Sequence, residues 1–385
     1  MVAHLGVLVN AGSRDEQEEE HGMAHLVEHI LFKGTTRRKA YHIISRMEDV
    51  GGEINAYTTK EETALYTSFM KQDYERGIEL LHDIIDHSFC PEKELAREKE
   101  VIIDEINSYL DNPSEQIFDD YEEQLFRDQP IGRNILGTPA SLGGIGRSGV
   151  LDFIGAHYRR DKLVIASVGD ISFEKLTGLV GKYFGTGSIA ASARERVPAR
   201  EVSPFYNKVD KNTHQVHYIL GNTAYPLHDE QRIPLHLLNN ILGGPGLNTR
   251  LNMTLREKNG LSYHAESHYS PYSDTGVFCV YFSSEKDKMD KSLKAVFREF
   301  KKLKEQKMGT LQLHRAKKQL MGQIAISSEN HENLMLTMAK SFQVFDRFDS
   351  LEETAEKIYA ITETRLLEIA NEVFREDALS HLVFV

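Results

Sequence analysis

Between Gly185 and Pro204 the chain loses its apolar periodicity and fills with Gly, Ala, Ser, Arg and Pro, a composition suited to spanning and not to packing. This interruption constrains the fold more than any other feature. It divides 385 residues into two stretches, each long enough for one hydrophobic core of ordinary size. Residues 1–185 and 205–385 are therefore expected to be two domains joined by a linker at 186–204. Both halves use the same vocabulary. In the first, strand patterns at 2–10, 53–58, 63–69 and 163–168 alternate with helical periodicity at 23–33, 40–50, 74–88, 91–110, 114–126 and 173–183. In the second, strands near 215–220 and 276–282 alternate with helices near 235–242, 289–304, 311–326 and 351–374. Halves of similar size and element order raise the expectation of a diverged structural duplication.

Composition removes several classes of function. With 40% hydrophobic and 27% charged residues the chain is neither disordered nor membrane-resident in character, and no apolar run reaches the length of a membrane span. A formal net charge of -12 with no basic stripe excludes a nucleic-acid partner. Two cysteines, Cys90 and Cys279, can form one bridge at most, which points to a reducing compartment and a cytoplasmic location.

The chemistry is concentrated on the first helix. His25-Leu26-Val27-Glu28-His29 places two imidazoles four residues apart, on neighbouring turns of one helical face, where both rings can meet one ion. Glu28 sits close enough to poise a carboxylate against water beside that ion without coordinating it, and it is the natural general base of an inverted H-x-x-E-H zinc-peptidase motif. For a chain with 17 His and 58 acidic residues the five-residue pattern alone is near the chance rate. A catalytic zinc needs a third protein ligand, and the long helix after Pro91 offers Glu98 and Glu105. Seven residues return a helix to within about 20° of the same direction, so both share a stripe with Ile102 and Tyr109. One carboxylate can coordinate while the other supports the ligand set.

These residues resemble the pitrilysin-like inverted zinc peptidases, peptidase family M16, and within them the bacterial relatives of the mitochondrial processing peptidase. The resemblance rests on H-x-x-E-H, on the spacing from His29 to Glu105 with Glu98 seven residues earlier, and on four further words. Those are Gly12-Ser13-Arg14-Asp15-Glu16, Phe32-Lys33-Gly34-Thr35, Gly51-Gly52-Glu53-Ile54-Asn55-Ala56-Tyr57-Thr58 and Gly132-Arg133-Asn134-Ile135-Leu136-Gly137. In the second half Arg256-Glu257-Lys258-Asn259-Gly260-Leu261-Ser262-Tyr263 resembles the family word R-x-x-x-G-L-x-Y.

The resemblance implies an α+β fold of two related sandwich domains, each a mostly antiparallel sheet with helices packed on it. It implies one Zn2+ per chain held by His25, His29 and Glu105, with Glu28 and Glu98 as catalytic residues and Arg256 and Tyr263 reaching bound peptide. It further implies a clamshell chamber of four such domains, hence a homodimer, acting on peptides or unfolded segments. The strand 53–58, entered through Gly51-Gly52, suits an edge that pairs with extended peptide, which makes Asn55 and Ala56 substrate-binding candidates. Relatives carry a further strand before residue 2, so an additional N-terminal segment is expected.

The competing reading is a scaffold subunit of a processing-peptidase-like heterodimer that keeps the fold without catalysis; the intact motif argues against it. Gly144-Ile145-Gly146-Arg147-Ser148-Gly149, with Asp170 downstream, imitates a dinucleotide fingerprint but has no preceding strand. His214 and His217, His264 and His268, and Glu329-Asn330-His331-Glu332 place no third ligand for a second metal.

Overall fold

The computed structural model describes residues 1–185 and 195–385, which form two compact units. Residues 186–194 of the expected linker lie outside the described residues. Unit 1 comprises Met1–Asn107, Arg133–Val197 and Ser327–Phe348, and unit 2 comprises Ser108–Gly132, Pro198–Ile326 and Asp349–Val385.

Unit 1 is built on strands β1 (Val2–Val9), β2 (Glu53–Thr58), β3 (Thr63–Met70) and β4 (Leu163–Val168), ordered β2-β3-β1-β4 and antiparallel throughout. Strand alternation sends Ala3, Leu5, Val7 and Val9 of β1 to one face. There they meet helices α1 (Met23–Leu31), α2 (Ala40–Glu48), α3 (Tyr74–His87) and α4 (Glu92–Leu110), through residues such as Leu26, Ile30, Ile43, Ile78 and Ile102. The opposite face is apolar as well. Leu8 and Ala64 pack there against Ala339 and Leu336 of the helix His331–Phe345. Gly6 permits this approach, because a Cβ on it would lie 2.6 Å from the Met335 sulfur.

Unit 2 has strands β5 (Tyr206–Val209), β6 (Val216–Thr223), β7 (Ala265–Pro271), β8 (Gly276–Ser284) and β9 (Ser380–Phe384), ordered β5-β9-β6-β8-β7, with β5 and β9 parallel and the other pairs antiparallel. Val216, Tyr218, Leu220, Phe278 and Phe282 face Leu235 and Leu238 of the helix Arg232–Gly243 and Val296 and Phe300 of the helix Met289–Glu305. On the reverse side Ile219, Cys279 and Tyr281 pack against Ile117 and Tyr121 of α5 (Pro113–Leu125). Full burial of a side chain such as Ile117 contributes roughly 1.5–3 kcal/mol.

The division expected at 186–204 is thus corrected in two places: α5, from the first half of the sequence, belongs to unit 2, and His331–Phe345, from the second half, belongs to unit 1. Each sheet is apolar on both faces and takes its second covering helix from the other half. The expected helix over 351–374 is two helices, Leu351–Tyr359 and Glu363–Val373, because the Thr362 hydroxyl accepts from the Arg365 N–H and starts a new one. Cys90 and Cys279 are buried and unbridged. Among the described residues no helix is long and apolar enough to cross a membrane.

Candidate metal centre

Helix α1 is locked in place from its N-terminal end. Both Glu16 carboxylate oxygens accept backbone N–H groups there, from Gly22 at 3.0 Å and Ala24 at 2.8 Å, filling donors that a helix start leaves without partners. Burial drives the Glu16 carboxyl up to about 8, against the pull of those two amides and of Arg133. Gly22 (φ 90°) and Gly137 (φ 74°) pass so closely that a Cβ on either would stand within 3 Å of the other's Cα. The loop carrying Arg133 and Asn134 closes against the same end: His21 Nε2 meets the Asn134 carbonyl at 2.9 Å, and the Arg133 guanidinium donates to the Glu16 and Gln17 carbonyls.

One turn further along α1, the rings of His25 and His29 lie 4.7 Å apart, centre to centre. Glu105 Oε2 stands 3.9 Å from His25 Nε2 and 3.8 Å from His29 Nε2, and one donor atom from each of the three residues falls within 4.8 Å of the others. This is the one group of metal-competent side chains found among the described residues. Two imidazoles and one carboxylate are a catalytic zinc donor set, with bonds of about 2.0–2.2 Å that would separate tetrahedral donors by roughly 3.3 Å. The two histidine-to-Glu105 separations are about half an ångström wider than that, so the residues fit the ion once the donors draw together. Burial, then the neighbouring His29, lowers His25 to about 4, which leaves its ring neutral and its lone pair available near pH 7.

Glu98 does not join the donors. It is buried, with one oxygen 3.1 Å from His29 Nδ1 and the other 2.8 Å from Lys33 Nζ. An ionised carboxylate only accepts, so Nδ1 carries the proton and Nε2 faces Glu105 with its lone pair. The shared stripe read from the sequence is accordingly graded in depth, since the Glu105 side chain is 46% exposed and that of Glu98 only 7%. His25 Nδ1 is buried with no hydrogen-bond partner among the described residues.

Glu28 lies on the same helix, and its Oε2 accepts a 2.5 Å hydrogen bond from the Thr58 hydroxyl at the end of β2. Burial raises the Glu28 carboxyl; Thr58 and His29 oppose the shift and Glu105 adds to it. Among the described residues strand β2 is the terminal strand of its sheet and pairs on one side only, where Asn55 is opposite Tyr66 and Ala56 opposite Leu65. Asn55 is exposed and Ala56 half-buried.

Arg256 and Tyr263 belong to unit 2. Arg256 is on a π-helical turn, Asn252–Glu257, a conformation frequent at functional sites, and Tyr263 is 81% exposed. Together with Gly260, Ser262, Ser283 and Lys288 they line a cavity of about 230 Å³. The glycine-rich imitation at 144–149 joins two helices, Pro139–Gly144 and Arg147–His157, with no strand before it. His264 and His268 both pair with Glu266, at 2.9 and 3.1 Å, and Asn330 caps the helix His331–Phe345.

Sequence reasoning passed over Glu16, Lys33 and Thr58 as contributors to this centre. All three stand inside the words quoted for the family resemblance, and that was the available signal.

The two sheet-and-helix units and the His-x-x-Glu-His helix define a class that comparison with known proteins makes specific. The model described as Insulinase (Peptidase family M16) matches residues 1–139, and the one described as Peptidase M16 inactive domain matches 145–320. An uncharacterized zinc protease of Rickettsia felis is 31% identical over 380 residues, covering 98% of this chain and 91% of that protein. The uncharacterized zinc protease YmxG of Bacillus subtilis is 28% identical over 376 residues, covering 97% and 90%. Among solved structures, a protease from Helicobacter pylori superimposes with a TM-score of 0.91 at 20% identity, covering all of this chain and 93% of that one. A Pseudomonas fluorescens structure described as a peptidase M16 inactive domain gives 0.92 at 19% identity, covering 100% and 92%. This chain belongs to peptidase family M16.

Proposed function

We propose that this chain is a zinc metalloendopeptidase that hydrolyses peptides and unfolded protein segments, with His25, His29 and Glu105 holding one zinc and Glu28 acting as general base. The observation that carries this reading is the convergence of those three donors on one point, with a half-buried, hydrogen-bonded Glu28 on the same helix. Zinc held there would supply Lewis acidity, polarising the peptide carbonyl and acidifying a water.

The rest of the chemistry belongs to the chain. Ionised Glu28 takes a proton from the attacking water and returns it to the departing amine, and its raised pKa makes it a stronger base than an exposed carboxylate. Glu98 keeps His29 in the tautomer whose Nε2 faces the centre. The unpaired side of β2, beside Asn55 and Ala56, offers backbone donors and acceptors to an extended substrate, which favours tolerance of sequence over recognition of side chains. Arg256 and Tyr263 are hydrogen-bond donors suited to a peptide carbonyl or the developing oxyanion. A homodimer that encloses the substrate, and a cytoplasmic location consistent with two unbridged cysteines, complete the proposal.

The test combines zinc content with cleavage of a quenched fluorescent peptide by the wild type and by Glu28→Gln. One zinc per chain and a loss of roughly 10²-fold or more in rate are expected, since that is the scale of general-base catalysis. A metal-free chain, or a variant within a few-fold of wild type, would leave the scaffold reading standing. Size-exclusion chromatography of the same preparation tests the dimer, and a folded protein digested as fast as a peptide would count against enclosure.

A further inference from the structure

A general base must be aimed as well as ionised. The Glu28 carboxylate hangs on a terminal torsion that is broad and roughly two-fold, so nothing in its own side chain fixes the plane of the two oxygens. Among the described residues one hydrogen bond does so, the 2.5 Å contact from Thr58 Oγ1 to Oε2. A carboxylate held through one oxygen presents the other in a set direction.

The donor is itself well placed to act as a fixed strut. Thr58 is β-branched, with a stiff χ1, and it ends β2 opposite Thr63 in a regular antiparallel register. The strand is held from both faces. Ile54 and Ala56 pack into the core that contains α1, while Tyr57 points the other way, donates to Glu62 at 3.2 Å and lies 5.0 Å beneath the Lys340 ammonium. Lys340 also pairs with Glu62 at 2.5 Å. The turn that follows is tied by the Thr59 hydroxyl, which accepts from the Glu61 and Glu62 N–H groups, and by Lys60 Nζ, which donates to the Arg133 carbonyl at 2.6 Å.

We infer that Thr58 is the positioning residue for Glu28, and that the strand proposed to receive the peptide is thereby the strand that aims the base. This rests on the peptidase reading above. Backbone groups of β2 would meet the substrate while the Thr58 side chain, on the same strand, meets Glu28, so register of the peptide and direction of the carboxylate are set by one rigid element.

The test uses the full chain with Thr58→Val, which keeps the shape and removes the hydroxyl, Thr58→Ser, which keeps the hydroxyl, and Glu28→Gln as reference. Thr58→Val should lower kcat about tenfold or more, the scale of losing a hydrogen bond to a charged group, with KM and zinc content within about twofold of wild type. Thr58→Ser should recover kcat to within roughly threefold, the residue of its looser χ1. A Thr58→Val enzyme with unchanged kcat, a loss that appears in KM or zinc content, or a Thr58→Ser as impaired as Thr58→Val overturns the inference. If Thr58→Val is insoluble, Thr58→Ala takes its place with the same criteria. Should Glu28→Gln itself keep wild-type rates, the peptidase reading fails instead, and the two failures are told apart by that variant.

Discussion

The two units share a plan and differ at one helix. Read from opposite ends, their sheets run β2-β3-β1-β4 and β7-β8-β6-β9, with β5 added at the far edge of the second. In unit 1 the helix after the inner strand β1 reads His25-Leu26-Val27-Glu28-His29-Ile30-Leu31. In unit 2 the helix after the inner strand β6 reads His236-Leu237-Leu238-Asn239-Asn240-Ile241-Leu242. The first histidine and the apolar residues persist, and Leu26, Ile30, Leu31, Leu237 and Leu242 are all fully buried. Glu28 and the second histidine have amides, Asn239 and Asn240, as their counterparts. His236 is turned inward, its ring 4.6 Å from that of Tyr269, and burial lowers it to about 4. Where α4 brings Glu98 and Glu105, the helix Thr310–Ser328 carries no carboxylate at all. Packing residues are shared by the two scaffolds, and the polar residues that could hold a metal are found in the first.

The comparison breaks most visibly if it can be reversed by single changes. His29→Asn, which gives α1 the residue found at Asn240, should drop zinc from one per chain towards none and the peptidase rate by at least ~10²-fold, the scale of losing the catalytic step. The reciprocal Asn240→His should leave zinc at one, because the helix Thr310–Ser328 offers no acidic third ligand. Metal analysis of both variants decides it; two zinc ions bound to Asn240→His would mean that the second scaffold had never lost its site.

A smaller effect is expected from Glu98→Ala, which removes the support of His29 without removing a ligand. Zinc affinity should weaken by about 10- to 100-fold, and activity should return when zinc is added in excess. Activity that stays low at saturating zinc would assign Glu98 to the reaction itself.

The smallest effect is on pH. Burial raises Glu28 above the ordinary 4.5, and the base works only when ionised, so kcat/KM should fall as pH drops through that raised value. His25, lowered to about 4, stays neutral across the same range and does not set the limb. An acid midpoint at or below 4.5 in the pH profile would contradict the assignment of Glu28.

The parts of this architecture that were legible in the sequence are those carried by local spacing. Helices α1 and α4, the strands at 53–58 and 163–168, the two histidines on one face and the heptad-spaced carboxylates all follow from periods of 3.6 or 2, while the choice of Glu105 over Glu98 as third donor came from the family resemblance. What escaped is held by side-chain contacts that no period of 3.6 or 2 reports. Nothing within Gly22–Leu31 indicates that Glu16 reaches forward to cap α1, nor does Thr58 announce Glu28 as its partner thirty residues away. Strands β5, β7 and β9 were missed because they are short or lie next to turn-rich segments, and their pairing is decided by their neighbours. The helix His331–Phe345 had a readable start, Asn330 accepting from Glu332 and Asn333, in a cluster weighed only as a metal decoy.

The exchanged helices also impose a schedule on the growing chain. The outer face of the first sheet, with Leu8, Ala64 and the notch at Gly6, is finished by residues 331–345. At roughly 5–20 residues per second, ribosomal synthesis delivers that segment on the order of ten to thirty seconds after β4. In that interval the nascent protein displays an oily sheet surface, and Lys340 has not yet reached Glu62 to brace the strand bearing Thr58. Maturation of the first unit is timed by the last quarter of the polypeptide, so truncation there should harm a region hundreds of positions upstream.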